Sequence, residues 1–368
     1  MGMAFNAKKA ARASVPPPSP PPKLYFVNPF VDYGMIGVFS IIAFLALRLL
    51  YTGERTDSVV TLAAQAAWIV NWPHFSATSY RLYHSPDNMK QYPLTALVVP
   101  FVVLAGVFGA FASPGVVAPY FIKLVSIWSP YHFSGQTLGI SLIYARRAGF
   151  QVGKAERFCL SSFIYGTFIA QTIRFETGSQ NFNDSGIDYP SIGLPAWAAT
   201  AAHAWVAVAG AALLFLIARW CMANKRILPP IVLLPALTQF VWFMPGSDWL
   251  SFAEFVPFFH SVQYMLIAWS MQLKEKMDLN RIPPSGTYVA SESARWGLSN
   301  FAGGALLFWG IPHIVAGSGV PLAFSTAVIV SGVQIHHFFI DGVIWKLKRK
   351  TVASPLMVNI EELLKAPA

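Results

Sequence analysis

The sequence predicts an all-α, polytopic integral membrane bundle of about ten transmembrane helices, and three observations predict it. The chain has 368 residues, 55% hydrophobic and only 11% charged, where a soluble domain carries about a quarter charged residues. Largely apolar stretches recur along it at the length of about 20 residues that a bilayer core demands. The basic residues, which produce a formal charge of +10, fall in the short connections between those stretches. That placement is the positive-inside bias of membrane proteins. With no arginine-rich face and no nucleic-acid motif, the charge does not point to nucleic acid as a partner.

The elements follow in order. Residues 1–28 include 14-SVPPPSPPPK-23, where proline density forbids a helix and favours extended polyproline II. No apolar h-region precedes residue 30, so a disordered cytoplasmic tail is expected and no cleavable signal. The membrane domain is expected over 29–346, with span cores near 30–50, 57–73, 93–113, 117–145, 156–173, 193–219, 228–245, 252–273, 296–315 and 319–345. Turn signals such as 113-SPG-115 and 245-PGS-247 separate some of them. The polar stretch 174–193 reads as an outer surface loop, and 347–368 as a basic cytoplasmic tail. Placing the N-terminus inside puts 22 of the 26 Lys and Arg on the inner side. That predicts an N-in, C-in topology, by default in a prokaryotic cell inner membrane. Cys159 and Cys221 sit in or beside apolar segments and read as small buried residues, not a disulfide framework.

Seven of the eight histidines fall within spans or at their ends; His84 is the exception. An ionisable group in hydrocarbon is costly and usually faces the bundle interior with a function. The neighbourhoods are 71-NWPHFSATSYRLYH-84, 128-WSPYHFSGQTLG-139, 254-EFVPFFHSVQYMLIAW-269 and 334-QIHHFFID-341. Gln136, Tyr264 and Asp341 each lie four residues beyond a histidine, on the same helix face. They are expected to orient His132, His260 and His337 through the far ring nitrogen. For Asp341, direct ligation and a helix-end contact with Lys346 are the alternatives. Arg81 reads as an inner interfacial charge, or as a clamp on the site's carboxylate. Trp72, Trp128, Phe133, Phe338 and Phe339 flank the histidines, as packing or as the wall of an apolar cavity.

Counted from the outer span ends at 1.5 Å per residue, His74, His132, His336 and His337 lie at roughly 22–27 Å depth, and His260 at roughly 12 Å. His260 joins the others only if its span starts earlier, tilts, or breaks near Pro257. His336 and His337 point about 100° apart. The expected metal ligands are His74, His132, His260, His336 and His337. Non-haem Fe(II), one or two ions, suits a lipid-buried site with open positions, though imidazole and carboxylate also admit Cu, Mn or Zn. His203 and His313 read as packing residues, and the role of His84 stays open. Histidines staggered across the bilayer would instead make a metal or proton transporter, and a network that only packs helices would make an assembly protein. No Rossmann fingerprint, P-loop, HExxH or CxxCH motif occurs.

Two segments resemble the bacterial membrane carotenoid-cleaving oxygenases of the Brp/Blh type. 73-PHFSATSYRLYH-84 is similar to their Pro-His-Gly-like motif followed by a further His, and 131-YHFSGQ-136 to their Tyr/Trp-His-Phe-Gly motif. Phe75 stands where that family has glycine, His84 is more distant than its second histidine, and Ser134 intervenes before Gly135. A third segment, 336-HHFFIDGVIWK-346, resembles one found in bacterial polytopic membrane proteins and implies no function. The oxygenase resemblance implies a multi-helix fold with histidine-held iron, His260 and His337 standing for the late ligands. It also implies O₂ activation to oxidise or cleave an apolar isoprenoid or lipid, with Tyr131 or Tyr264 donating a hydrogen bond to bound oxygen. The chain shows no attached redox domain, so electrons are expected from the substrate or a separate donor. The histidine-box desaturases and hydroxylases are not matched, because neither HxxxH nor HxxHH is present.

Overall fold

The computed structural model describes residues 23–51, 53, 54, 56–178, 181–184, 187–283, 285–345 and 359–361. Most of the proline-rich run and the basic run 346–350 lie outside the described residues. The architecture is all-α: α1 (Pro29–Leu50), α2 (Asp57–Ala66), α3 (Trp72–Tyr83), α4 (Pro86–Gln91), α5 (Leu94–Ala112), α6 (Val117–Arg147), α7 (Lys154–Phe175), α8 (Ala196–Asn224), α9 (Leu234–Phe243), α10 (Leu250–Ala253), α11 (Val256–Asn280), α12 (Gly286–Ala316) and α13 (Leu322–Ile344). Among the described residues, α1, α5, α8, α12 and α13 are long and apolar enough to cross a membrane.

Prolines explain several departures from the expected spans. The span expected to end near residue 73 continues as α3 to Tyr83. A π turn, Ala67–Asn71, stands just before Pro73, and similar turns precede Pro100 and Pro312. Proline lacks the N–H that an α-helix needs and crowds the carbonyl four residues back, so the preceding turn widens. The expected span 228–245 becomes a 3₁₀ turn at Pro230–Val232 and the ten-residue α9. Pro229 and Pro230 hold off its start, and Pro245-Gly246 follows its end. In the expected outer loop an antiparallel hairpin forms, Asn181–Asp184 against Ile187–Pro190. Ile187 is buried in the apolar cluster that also holds Val103 and Val107 of α5 and Ile122 of α6.

Close helix approach is made by glycine. A Cβ on Gly304 of α12 would stand 2.5 Å from the Trp72 backbone, and one on Gly303 2.3 Å from Ser76 Oγ. Small residues of this kind let two helices touch backbone to backbone, and here they seat the start of α3 in the interior. Segments far apart in sequence also meet. Asn359 Nδ2 donates to the carbonyls of Tyr25 and Val27, and Ile360 N–H to that of Phe26. Cys159 and Cys221 are free thiols packed against apolar clusters.

Candidate metal centre

Four helices bring their imidazoles together, three of them into one group of ligand atoms. His74 lies in the first turn of α3, directly after the π turn and Pro73. His132 follows Pro130 within α6, His260 lies in the first turns of α11, and His337 near the end of α13. His74 and His337 are 0% and 1% exposed. His74 Nε2 stands 2.9 Å from His337 Nε2, which stands 3.1 Å from His132 Nε2. Asp341 Oδ2 completes the group at 3.5 Å from His337 Nε2 and 3.7 Å from His132 Nε2. All four ligand atoms lie within 4.8 Å of one another, so the group could hold a metal ion.

The chemistry of the donor set fits a cation. Metal–imidazole bonds of about 2.0–2.1 Å place neighbouring ligand atoms roughly 3 Å apart, which matches the two Nε2 separations. Hydrogen bonding alone does not satisfy the group. A neutral imidazole has one donor and one acceptor nitrogen. If His337 Nε2 accepts from both neighbours, its hydrogen sits on Nδ1, which is buried with no hydrogen-bond partner among the described residues. If Nε2 donates to His74, the His74 hydrogen moves to its own Nδ1, equally unpartnered. Asp341 Oδ2 is too far from the imidazoles for a hydrogen bond, so a nearly buried carboxyl oxygen faces the imidazole nitrogens without bonding to them. A buried polar group left so is costly; a cation at the centre of the group answers both the lone pairs and the carboxyl oxygen. In that tautomer the Nδ1 hydrogens of His74 and His337 still lack an acceptor among the described residues.

Several expected roles are corrected. His336 is not in the cluster: it turns the other way and its Nε2 lies 2.9 Å from Tyr83 Oη, the two rings stacked at 14°. His260 is beside the cluster, its ring 5.2 and 5.1 Å from those of His74 and His132, but outside the ligating group. Its ring stacks on Phe133 at 4.0 Å, and neither nitrogen has a partner among the described residues. Asp341 does not orient His337 through Nδ1; it presents Oδ2 to the Nε2 side, as a ligand would. Gln136 donates to the His260 carbonyl and to Gln263, not to His132.

Tyr131 is 50% exposed, packs against Tyr165 and Phe168, and lines the same cavity as His132 and Asp341. Tyr264 sets its ring 4.1 Å from that of His74, but its hydroxyl lies 2.6 Å from Thr78 Oγ1. Arg81 pairs with Glu275 and lies over the Trp345 ring, rather than clamping Asp341. His84 stacks on Tyr80 and bonds its carbonyl, and His203 and His313, both exposed, bond the carbonyls of Ala199 and Trp309 within their own helices. Trp72 stacks on Phe308. Trp128 meets both Phe338 and Phe339.

The same i, i+4 rule that selected Asp341 would have found two residues passed over in the sequence. Thr78 is four beyond His74, and Trp345 four beyond Asp341. Both donate to Asp341 Oδ1, at 3.1 and 3.2 Å.

A cavity of about 290 Å³ lies against the centre. His132, Asp341 and Tyr264 form one part of its wall, and Trp128, Ile140, Ile143, Ile267 and Phe338 much of the rest. Gly135 and Gly139 of α6 and Gly342 of α13 also line it; a Cβ added to Gly139 or Gly342 would meet nothing within 4 Å. These positions open the trough by lacking side chains. Compared with known proteins, the chain matches no family model, no curated protein and no solved structure.

Proposed function

We propose that the protein is a polytopic membrane oxygenase of non-haem iron type, acting on an apolar isoprenoid or lipid-like substrate. The observation that carries this reading is the convergence of three imidazole Nε2 atoms and one carboxylate oxygen at the wall of a largely apolar cavity. His74, His132, His337 and Asp341 would hold the metal. When bound, iron would supply O₂ activation. The chain's own residues supply the rest. The cavity takes an apolar chain alongside α6, its aromatic and aliphatic wall keeps water from the reacting segment, and the glycines set its width. The resemblance to the Brp/Blh-type oxygenases supports the same chemistry, with Asp341 as a departure from an all-histidine set. A separate electron donor, or the substrate itself, would furnish electrons.

The proposed topology is ten spans, N-in and C-in, in a cell inner membrane. Contact between residues 25–27 and Asn359–Ile360 supports it, since segments before the first span and after the last that touch lie on one side and require an even number of crossings. Gathering four imidazoles at one place weighs against a transporter relay, which needs titratable groups strung across the bundle.

Elemental analysis of the full-length protein, purified in detergent from cells supplied with iron and without chelator, tests the reading. About one transition-metal ion per chain is expected, by the count of one four-ligand site. A metal-free protein under those conditions would sink the oxygenase.

A further inference from the structure

We infer that Thr78 is a positioning residue for the metal centre: its single hydroxyl holds the Asp341 side chain with Oδ2 turned to the ion. The inference rests on the metal-centre reading and assigns a role to a residue outside the ligand set.

Thr78 lies one turn after His74 on α3 and is 0% exposed. Its hydroxyl has one hydrogen and accepts through its lone pairs. That hydrogen goes to Asp341 Oδ1 at 3.1 Å. Tyr264 Oη, 2.6 Å from Thr78 Oγ1, must therefore donate its own hydrogen to Thr78. Trp345 Nε1, which can only donate, reaches the same Oδ1 at 3.2 Å. The hydrogen bonds thus run one way, from Tyr264 through Thr78 to Asp341, and Oδ1 receives two donors. Among the described residues none donates to Oδ2, which faces His337 and His132. Two donors on one oxygen and none on the other fix the carboxylate's rotation about its Cβ–Cγ bond. They also commit the Tyr264 hydroxyl to Thr78, so it is not available to donate into the cavity. Partners of this kind around a ligating group tune metal affinity by about 10–100-fold.

A purely structural Thr78 would tie α3 to α11 and α13 and nothing more. Titrating Co(II) into the full-length, metal-stripped protein in detergent separates the two roles. Thr78→Val keeps the shape and loses the hydroxyl. It is expected to bind Co(II) about 10–100-fold more weakly, with shifted visible ligand-field bands as the carboxylate rotates. Thr78→Ser restores the hydroxyl and should restore both affinity and spectrum. Trp345→Phe removes the other donor and should weaken binding in the same direction, which keeps the test open if Thr78→Val does not fold. Wild-type Co(II) affinity and spectrum in Thr78→Val, with only a lowered melting temperature, would overturn the positioning role while leaving the metal centre standing. No Co(II) uptake by the wild-type chain would overturn both.

Discussion

His336 and His337 are neighbours in sequence and share a helix, yet they belong to different parts of the molecule. His337 is 1% exposed and meets the nitrogens of His74 and His132. His336, on the adjoining face, stacks on Tyr83 and shares one hydrogen bond with it. The step of about 100° between consecutive helical residues separates them. One side of α13 faces the centre and the other faces the packing layer of Leu82, Tyr92 and Ala96. A paired motif in a helix is therefore no guide to a paired role.

The largest effect should come from setting these two residues against each other. His337→Ala is expected to abolish stoichiometric metal binding while helical content is kept, whereas His336→Ala should retain the metal of the wild type. Elemental analysis with far-ultraviolet circular dichroism reads both. Equal loss in the two variants would place both imidazoles in one centre and break the distinction.

A smaller effect, confined to the cavity, is expected from Gly139→Leu. The added side chain projects into the trough, so metal content should be unchanged. Photocrosslinking of a straight-chain aliphatic diazirine to the cavity wall should fall roughly tenfold, since filling the pocket removes the volume that buries the probe. Undiminished labelling at Trp128 and Trp345 would place the apolar ligand elsewhere.

The smallest effect belongs to the other side of α13. Tyr83→Phe removes the partner of His336 and a donor to the Ala96 carbonyl, and should lower stability by about 1–3 kcal/mol, the net worth of two hydrogen bonds. The readout is a modestly lower melting temperature at unchanged metal content. A loss of metal in this variant would tie His336 to the centre after all.

Much of the centre was legible in the sequence because intramembrane polar residues are rare and stand out against apolar runs. His74, His132 and His337 were chosen on that ground and meet in space. Asp341 was selected by its i, i+4 spacing but assigned to the wrong nitrogen, since spacing along a helix says nothing of which ring atom a carboxylate faces. Thr78 and Trp345 were missed although the same spacing marks them; a threonine and a tryptophan are ordinary residues in such a bundle until Asp341 is seen between them. His260 was placed roughly 12 Å down by counting from a common outer plane. The helices do not start from one plane. α11 begins at Val256, after the short α10, and its first turns already lie beside His74 and His132.

By itself the sequence determined the all-helical class, because apolar runs separated by basic and Gly/Pro connections leave few other structures. It also determined which side chains were candidates, because burial of an imidazole or carboxylate among apolar residues demands compensation. Only the tertiary structure decided which candidates meet. That outcome depends on the rotation of each helix about its axis and on its stagger against its neighbours. Both are set by contacts between distant segments, such as Gly303 and Gly304 against α3 and Asp341 beneath Thr78, which no local pattern records.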